Sequence, residues 1–196
     1  MARLHRIKVE NFGPFDNGLA QEGRLSGLHP TLATAVRAGL DFNLDVLVAQ
    51  EVFTKKERGA IEELFDSGNP SLQCGQSVLV HNDFADWNLL TDGKTITGIL
   101  DWDECVGGDP ISDIACWSTF FPPERLTGML HGYWQEAKKP QHFEEKFELL
   151  RLRYTISKMT LRLRRYTWQP DASVREGIDV GKQHLNRSLR QFGIRS

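Results

Sequence analysis

The sequence has few cysteines, no long hydrophobic run and no internal repeat. Its three cysteines, Cys74, Cys105 and Cys116, show no Cys-x-x-Cys spacing, which argues against a disulfide scaffold, a zinc knuckle or a redox pair. No apolar stretch approaches the roughly 20 residues that span a bilayer. Residues 1–6 lack the apolar run of a secretory signal. We therefore expect a cytoplasmic protein that makes no contact with a membrane.

The composition is that of an ordinary globular protein, with 40% hydrophobic and 26% charged residues. A length of 196 residues favours a single domain over residues 1–196. Charge is uneven, because residues 1–137 hold 10 basic and 20 acidic side chains and residues 138–196 hold 14 and 6. We interpret this asymmetry as attraction between two parts of one domain, with a nucleic-acid or membrane surface as the alternative.

The first third of the chain predicts helices after a turn-rich start. Residues 1–9 look like the end of a helix, and residues 11–18 like a loop. Residues 30–68 are typical of two helices, and Thr54 and Glu57 form a capping-box pattern at the start of the second. The first helix has apolar residues every four positions on one face: Leu32, Val36, Leu40, Leu44 and Val48.

The middle of the chain changes to strands and then returns to helix. Residues 77–80 predict one short strand, and residues 88–91 and 95–100 flank Asp92-Gly93, a strong hairpin signal. From residue 110 onward the pattern is helical. Helix starts are indicated at Pro122-Pro123 and at Asp171, and residues 141–166 predict one long helix. The fold class is therefore α+β and mostly helical.

The residues that carry chemistry cluster between positions 81 and 113. Asp83, Asn88 and Asp101 bear side-chain oxygens, which suit hard cations such as Mg²⁺. The predicted hairpin brings Asn88 and Asp101 to the same end, and Asp83 can face the same point across a short loop. Phosphoryl transfer needs such a layout, with a carboxylate for the attacking hydroxyl and two oxygen ligands for metal.

The spacing His81-x-Asp83-x-x-x-x-Asn88 resembles the catalytic loop of protein kinases. With Ile-Leu-Asp-Trp-Asp at 99–103 and Gly-Asp-Pro-x-x-Asp-x-Ala at 108–115, it is similar to the aminoglycoside phosphotransferase family. That family also includes hygromycin-type, choline and homoserine kinases. Segments 4–7 and 13–15 are similar to the region after the inter-lobe hinge of hygromycin-type members. The resemblance implies the C-terminal lobe of a protein-kinase-like fold, with a small β-hairpin carrying the catalytic loop.

The resemblance implies a role for each matched residue and a nucleotide donor, ATP or GTP. Asp83 accepts or orients the proton of the substrate hydroxyl, and Asn88 and Asp101 hold Mg²⁺. The supporting, structural residues are His81, Asp109 and Asp113, the last of which either caps a helix or ties down the catalytic loop. Candidates for lining the substrate site are Asp103, Trp117 and Trp134, with a solvated carboxylate and core aromatics as the alternative interpretations.

The nucleotide half of a kinase is missing from the sequence. It has no G-x-G-x-x-G and no G-x-x-x-x-G-K-[ST] motif, and Lys8 has no strand or glycine-rich loop before it. Three explanations remain open. The sequence is truncated, a separate chain supplies the nucleotide lobe, or the domain has a non-catalytic role. An open lobe also exposes apolar surface, so a homodimer is a further alternative.

The partner implied by the resemblance is a small molecule with a hydroxyl acceptor. The acidic character of residues 1–137 favours a cationic acceptor. A nucleic-acid-binding module is the less favoured class, although basic residues interleaved with aromatics can track a strand. Those basic residues are Arg151, Arg153, Lys158, Arg162, Arg164 and Arg165.

We predict little or no ATP-dependent phosphorylation of alcohols by the isolated 196-residue chain. Phosphoryl transfer depends on positioning and electrostatic stabilisation, and most contacts to the nucleotide phosphates come from the missing motifs. The measurement is ADP release by the purified chain with Mg·ATP and a panel of alcohols. Rapid transfer to any of these alcohols would refute the expectation.

Overall fold

Helices carry most of the chain in the computed structural model, which describes residues 1–66 and 68–194. Short 3-10 helices cover Leu4–Arg6, Pro70–Leu72 and Asp86–Asn88. The strands are β1 (Phe12–Phe15), β2 (Gly27–His29), β3 (Val78–Val80), β4 (Leu89–Thr91), β5 (Ile96–Ile99) and β6 (Val106–Gly108). The α-helices are α1 (Asn17–Gln21), α2 (Leu32–Arg37), α3 (Leu40–Ala49), α4 (Lys55–Leu64), α5 (Ile111–Phe120), α6 (Pro123–Glu136), α7 (Phe143–Trp168) and α8 (Ala172–Gln191). The mostly helical α+β prediction is confirmed.

The described strands form two small antiparallel sheets. One has four strands in the order β2-β1-β6-β3, and the other is the β4–β5 hairpin. At the hairpin turn, the Asp92 carboxylate accepts hydrogen bonds from the backbone N–H groups of Lys94 and Thr95 at 2.8 and 2.7 Å. Gly93 has φ +88°, a conformation that favours glycine. The predicted hairpin is therefore confirmed.

The strand β1 lies where the sequence predicted a loop. Gly13 and Pro14 in β1 pair with Gly107 and Val106 in β6. A Cβ atom on Gly107 would lie 2.7 Å from the Asn11 carbonyl oxygen, so the two backbones approach too closely for any side chain at this position. The loop prediction for residues 11–18 is wrong at β1, because Gly13, despite its φ of +83°, and Pro14 pair with β6 instead of forming a turn.

The first nine residues do not continue a helix beyond the short 3-10 turn at Leu4–Arg6. The backbone then extends beside β3, where Leu79 N–H donates to Ile7 O at 2.9 Å and Val9 N–H donates to Ser77 O at 3.1 Å. The apolar spacing that looked helical therefore belongs to one helical turn followed by an extended segment.

The first of the two helices predicted in residues 30–68 is broken into α2 and α3. Its apolar face is buried as predicted at Val36 and Leu40, but Gly39 has φ +68° and interrupts the helix. The Arg153 guanidinium donates to the carbonyl oxygens of Val36 and Ala38 at 2.5 and 2.8 Å. These bonds satisfy carbonyls that an unbroken helix would have paired internally.

The second of these helices, α4, begins as predicted. Thr54 Oγ1 accepts a hydrogen bond from Glu57 N–H at 3.1 Å, and the Glu57 carboxylate accepts one from Thr54 N–H at 2.7 Å. The capping box is thus confirmed. The predicted starts of α6 and α8 are also confirmed, with Pro123 at the first position of α6 and Asp171 capping α8.

The core is organised around the long helix α7, predicted at residues 141–166. Leu149, Leu152, Ile156 and Met159 of this helix are fully buried within one apolar cluster that extends along the chain from Phe12 to Leu189. Helices α5 and α8 pack on α7. Among the described helices, none combines the length and hydropathy that crossing a membrane requires.

We expect Gly107→Ala to lower the free energy of unfolding by about 1–3 kcal/mol, because the added methyl group forces the β1 and β6 backbones apart. Gly128→Ala is the matched control. Gly128 lies within α6 and has open space at the Cβ position, so alanine there raises stability by up to about 1 kcal/mol. Urea denaturation measures both variants, and equal effects of the two would argue against close strand packing.

Candidate active site

The loop that follows β3 is held by the buried carboxylate of Asp113 on α5. Asp113 is 0% exposed and accepts hydrogen bonds from the backbone N–H groups of His81 at 3.0 Å and Asn82 at 2.7 Å. The Nε2 atom of His5 lies 3.0 Å from the same carboxylate, and His5 Nδ1 lies 2.8 Å from the Tyr133 hydroxyl. Asp113 therefore ties the loop to α5 and to the 3-10 helix at Leu4–Arg6.

His81 joins the loop to the end of the hairpin. Its ring is fully buried, with Nε2 2.8 Å from the Leu100 carbonyl oxygen. Because a carbonyl can only accept, Nε2 carries the proton and Nδ1 is free to accept a hydrogen bond from Asp83 N–H at 3.3 Å. The imidazole thus fixes the backbone of Asp83 relative to the residue that precedes Asp101.

The carboxylate of Asp83 is held through one of its oxygens. Oδ1 accepts a hydrogen bond from the Tyr154 hydroxyl at 3.0 Å and lies 3.2 Å from Lys158 Nζ. Lys158 Nζ also lies 2.8 Å from both carboxylate oxygens of Glu104. Within the described chain, Oδ2 of Asp83 forms no hydrogen bond or ion pair. One oxygen is therefore anchored and the other is available.

The two side chains that anchor Asp83 keep their protons at neutral pH. Burial raises the pKa of the Tyr154 hydroxyl well above its ordinary value, and the neighbouring Cys116 and Asp83 raise it further. Burial by itself lowers the pKa of Lys158, but hydrogen bonds and charge attraction from Glu104 and Asp83 outweigh it, so the pKa is raised. Tyr154 is therefore a neutral donor, and Lys158 is a cation.

Asn88 and Asp101 lie at the open end of the hairpin. Asn88 is buried, and its Nδ2 donates to the Asp83 carbonyl oxygen at 2.9 Å. The Leu100 N–H donates to the Asn88 carbonyl oxygen at 2.8 Å, which brings the start of β4 beside the end of β5. Asp101 is exposed and has φ +60°, an uncommon conformation for a residue with a Cβ atom.

These two residues fit a magnesium ion that also takes ligands from a phosphate group. Because Nδ2 of Asn88 is the donating atom, its amide oxygen is free, and the Asp101 carboxylate has no hydrogen bond or ion pair with the described residues. Among the described residues, no group of three His, Cys, Asp or Glu side chains could hold a metal by itself. Mg²⁺ typically takes one or two carboxylates and completes its shell with water and substrate phosphates.

Asp109 and Trp117 are packed into the support of the site. Asp109 is buried, accepts a hydrogen bond from Ile111 N–H at 2.9 Å and pairs with Lys146 Nζ at 2.8 Å. Trp117 is buried against Phe84 of the loop and against Phe121, with ring centroids 5.8 and 4.2 Å apart. Both residues therefore contribute to the scaffold around the loop.

Trp134 and Asp103 stand apart from Asp83. The ring of Trp134 packs edge-on against Tyr133 and Phe143, and it lines a different cavity from the one beside the loop. Asp103 is exposed and has no hydrogen bond or ion pair with the described part of the chain. The structure does not bring either side chain into contact with Asp83.

A cavity of about 380 Å³ opens beside the residues that anchor Asp83. Tyr154, Lys158 and Glu104 form part of its wall, and the apolar part comes from α2, α7 and the strands β1 and β6. Its size suits a small organic molecule. Apolar lining residues include Leu32, Val36 and Leu150.

Sequence reasoning missed how Tyr154, Lys158 and Glu104 contribute to the site. In the sequence, Lys158 is only one of the basic residues of the long helix. Residues four apart on a helix share one face, so a joint role for Tyr154 and Lys158 was detectable in principle. The partner of that face was not detectable from the sequence, because 71 positions separate Tyr154 from Asp83. No local pattern singled out Glu104.

A family profile and one bacterial protein are similar to this chain. The family profile described as "Phosphotransferase enzyme family" matches residues 1–151. The uncharacterized protein YcbJ of Bacillus subtilis (strain 168) is 27% identical over 128 residues, which cover 62% of this chain and 36% of that protein.

Solved structures show a similar fold. The apo form of a thermostable mutant of aminoglycoside phosphotransferase APH(4)-Ia has a TM-score of 0.59 at 22% identity, over 93% of this chain and 58% of that one. A ternary complex of a variant of that mutant with AMP-PNP and hygromycin B gives 0.56 at 20%, over 90% and 58%. Macrolide 2'-phosphotransferase MphH from Brachybacterium faecium gives 0.51 at 20%, over 94% and 57%. The chain thus spans less than two thirds of these structures.

We expect Asp113→Asn to lower the free energy of unfolding by about 2–4 kcal/mol, because an amide offers one acceptor oxygen to donors that a buried carboxylate serves with two. Asp103→Asn removes the same charge at an exposed position without a partner, so its effect stays within about 0.5 kcal/mol. Chemical denaturation compares the two variants. A loss for Asp113→Asn as small as that for Asp103→Asn would contradict the anchoring role.

Proposed function

Because the chain belongs to the phosphotransferase enzyme family, we propose that it carries the acceptor side of a small-molecule kinase. In this proposal a phosphoryl group passes from a nucleotide to a hydroxyl of a small molecule. One observation carries the proposal. Asp83 has one carboxylate oxygen anchored and the other available, and its loop adjoins the hairpin end that bears Asn88 and Asp101.

Asp83 acts on the hydroxyl of the acceptor. The proton of the hydroxyl moves to the free Oδ2 oxygen as the hydroxyl oxygen forms a bond to the terminal phosphorus. The bond between that phosphorus and the bridging oxygen breaks, and the nucleoside diphosphate leaves. A general base must lie within hydrogen-bond reach of the proton that it takes, and an anchored carboxylate meets this condition with little reorganisation.

Tyr154 and Lys158 position this base. Both contact Oδ1, so they limit rotation of the carboxylate and leave Oδ2 as the acceptor of the proton. Lys158 is in turn fixed by Glu104, which holds the ammonium group in place when Asp83 becomes protonated. These residues orient the catalytic carboxylate, and they also form part of the wall of the neighbouring cavity.

The proposed donor is Mg·ATP, with GTP as the alternative. Support comes from the free amide oxygen of Asn88 and the unpaired carboxylate of Asp101 at the hairpin end. It also comes from the related APH(4)-Ia structure, a complex with the ATP analogue AMP-PNP. Asn88 and Asp101 would hold the ion, which would supply positive charge to neutralise the transferred phosphoryl group.

The proposed acceptor is a small hydroxyl compound bound in the cavity that Tyr154 and Lys158 border, next to the carboxylate that they anchor. The acidic balance of residues 1–137 favours an acceptor that carries positive charge. The apolar wall of the cavity leaves room for an apolar body as well. We also propose a cytoplasmic location, because the proposed donor is a nucleotide.

We further propose that residues 1–196 form one domain equivalent to the C-terminal lobe of a kinase-like fold. The continuous apolar core supports this, as does the match of 93% of the chain to 58% of the APH(4)-Ia structure. Activity of the whole protein would then require a nucleotide-binding lobe, and the non-catalytic domain remains the alternative.

We expect Mn²⁺, added as a paramagnetic substitute for Mg²⁺ together with ADP, to broaden the NMR signals of residues 88 and 101 selectively. Asp101→Asn should abolish most of this broadening because the carboxylate ligand is gone. Asparagine tolerates the positive φ of this position, so the variant keeps the fold. The measurement is a set of ¹H–¹⁵N correlation spectra at increasing Mn²⁺ concentration.

The matched control is Asp103→Asn, which removes an exposed carboxylate two residues away and should leave the broadening unchanged. Equal broadening in wild type and Asp101→Asn would show that the ion binds elsewhere. Absence of any ADP-dependent broadening at the hairpin end would favour the non-catalytic alternative.

A further inference from the structure

A second cavity, of about 280 Å³, lies between the end of α5, the start of α6, and helices α7 and α8. It shares no lining residue with the cavity beside Asp83. Three nitrogen-bearing side chains line it, namely Arg151 of α7 and His184 and Arg187 of α8. It is therefore a separate site, and part of the basic helix singled out in the sequence faces it.

The charges around this cavity are not balanced within the described chain. Glu148 pairs with Arg151 and is also attracted by Arg187, so one carboxylate faces two guanidinium groups. Burial lowers the pKa of the His184 imidazole, and the charges of Arg151, Arg187 and Arg162 lower it further. A histidine in this setting is neutral at pH 7 and can still donate one hydrogen bond.

A buried donor in the cavity wall has no acceptor. Arg151 is 3% exposed, and its Nε atom has no hydrogen-bond partner among the described residues. A buried N–H of a charged group is costly to leave unpaired, so the Arg151 cation is incompletely compensated and negative charge nearby would stabilise it. His184 and Arg187 likewise form no hydrogen bond with the rest of the described chain.

The remaining wall of the cavity is largely apolar. Phe120, Phe121, Leu126 and Val180 line it. A cavity of about 150 Å³ accepts a benzene ring, so this one accommodates a single ring with a polar group attached. The apolar wall and the unbalanced nitrogen donors together define the chemistry of an occupant.

We propose that this cavity binds a small organic anion, with an apolar or aromatic body and one carboxylate or phosphate group. The anionic group lies against Arg151, His184 and Arg187, and the body packs against the phenylalanine side of the wall. Its oxygens accept hydrogen bonds from His184 and Arg187, which form none with the described residues. A charged acceptor between guanidinium groups makes the stronger class of hydrogen bond.

The test titrates the purified chain with benzoate, phenyl phosphate and benzyl alcohol, and follows the NMR signals of the Val180 methyl groups and the His184 ring. We expect saturable shifts with at least one of the two anions, and the stronger of the two identifies the anionic group. Benzyl alcohol, which has the same ring without the charge, should bind at least about tenfold more weakly.

Arg187→Gln should weaken binding of the anion by about tenfold or more, since it removes a charged donor at the exposed edge of the cavity without disturbing the core. Arg190→Gln is the control, because it removes the same charge from an exposed position on α8 outside this cavity. No saturable shift with either anion, equal binding of benzyl alcohol, or equal weakening by Arg190→Gln would each overturn the proposal.

Discussion

The buried carboxylate of Asp113 is the interaction on which the site depends. This single side chain on α5 accepts hydrogen bonds from the backbone N–H groups of two consecutive loop residues, His81 and Asn82. It also contacts the ring of His5 from the start of the chain. Asn82 has φ +63°, so the loop adopts a conformation that needs external support. Three segments far apart in sequence are therefore fixed at one point, and Asp83 is the next residue in the chain after the anchored Asn82.

Helix α7 then determines what Asp83 can do. Tyr154 and Lys158 approach the carboxylate from one face of this helix, whereas Arg151, almost one turn earlier, lines the second cavity. The long basic helix is thus neither an exposed stripe nor a uniform surface. Most of its cations have defined partners inside the chain: Arg153 bonds α2, Lys158 meets Glu104, and Arg162 donates to Gly177 O.

The sequence predicted those features that short-range chemistry specifies. The Asp92-Gly93 hairpin, the Thr54 capping box and the backbone approach of Asn88 to Leu100 all follow from neighbouring residues. The four-stranded sheet escaped prediction because β1 and β6 contain glycine and proline, which ordinarily mark turns. Contacts such as Lys158 with Asp83 depend on how helices dock, and hydrophobic periodicity shows which face is buried without showing its partner.

The Arg153 bonds to the carbonyls of Val36 and Ala38 have a consequence for local opening of the protein. They close the end of α2 with a side chain that lies more than a hundred residues later in the chain. If α2 frayed alone, a largely buried guanidinium would lose its acceptors, and that loss opposes separate opening. We therefore expect the short helix α2 to open only together with the central helix α7, as one cooperative unit.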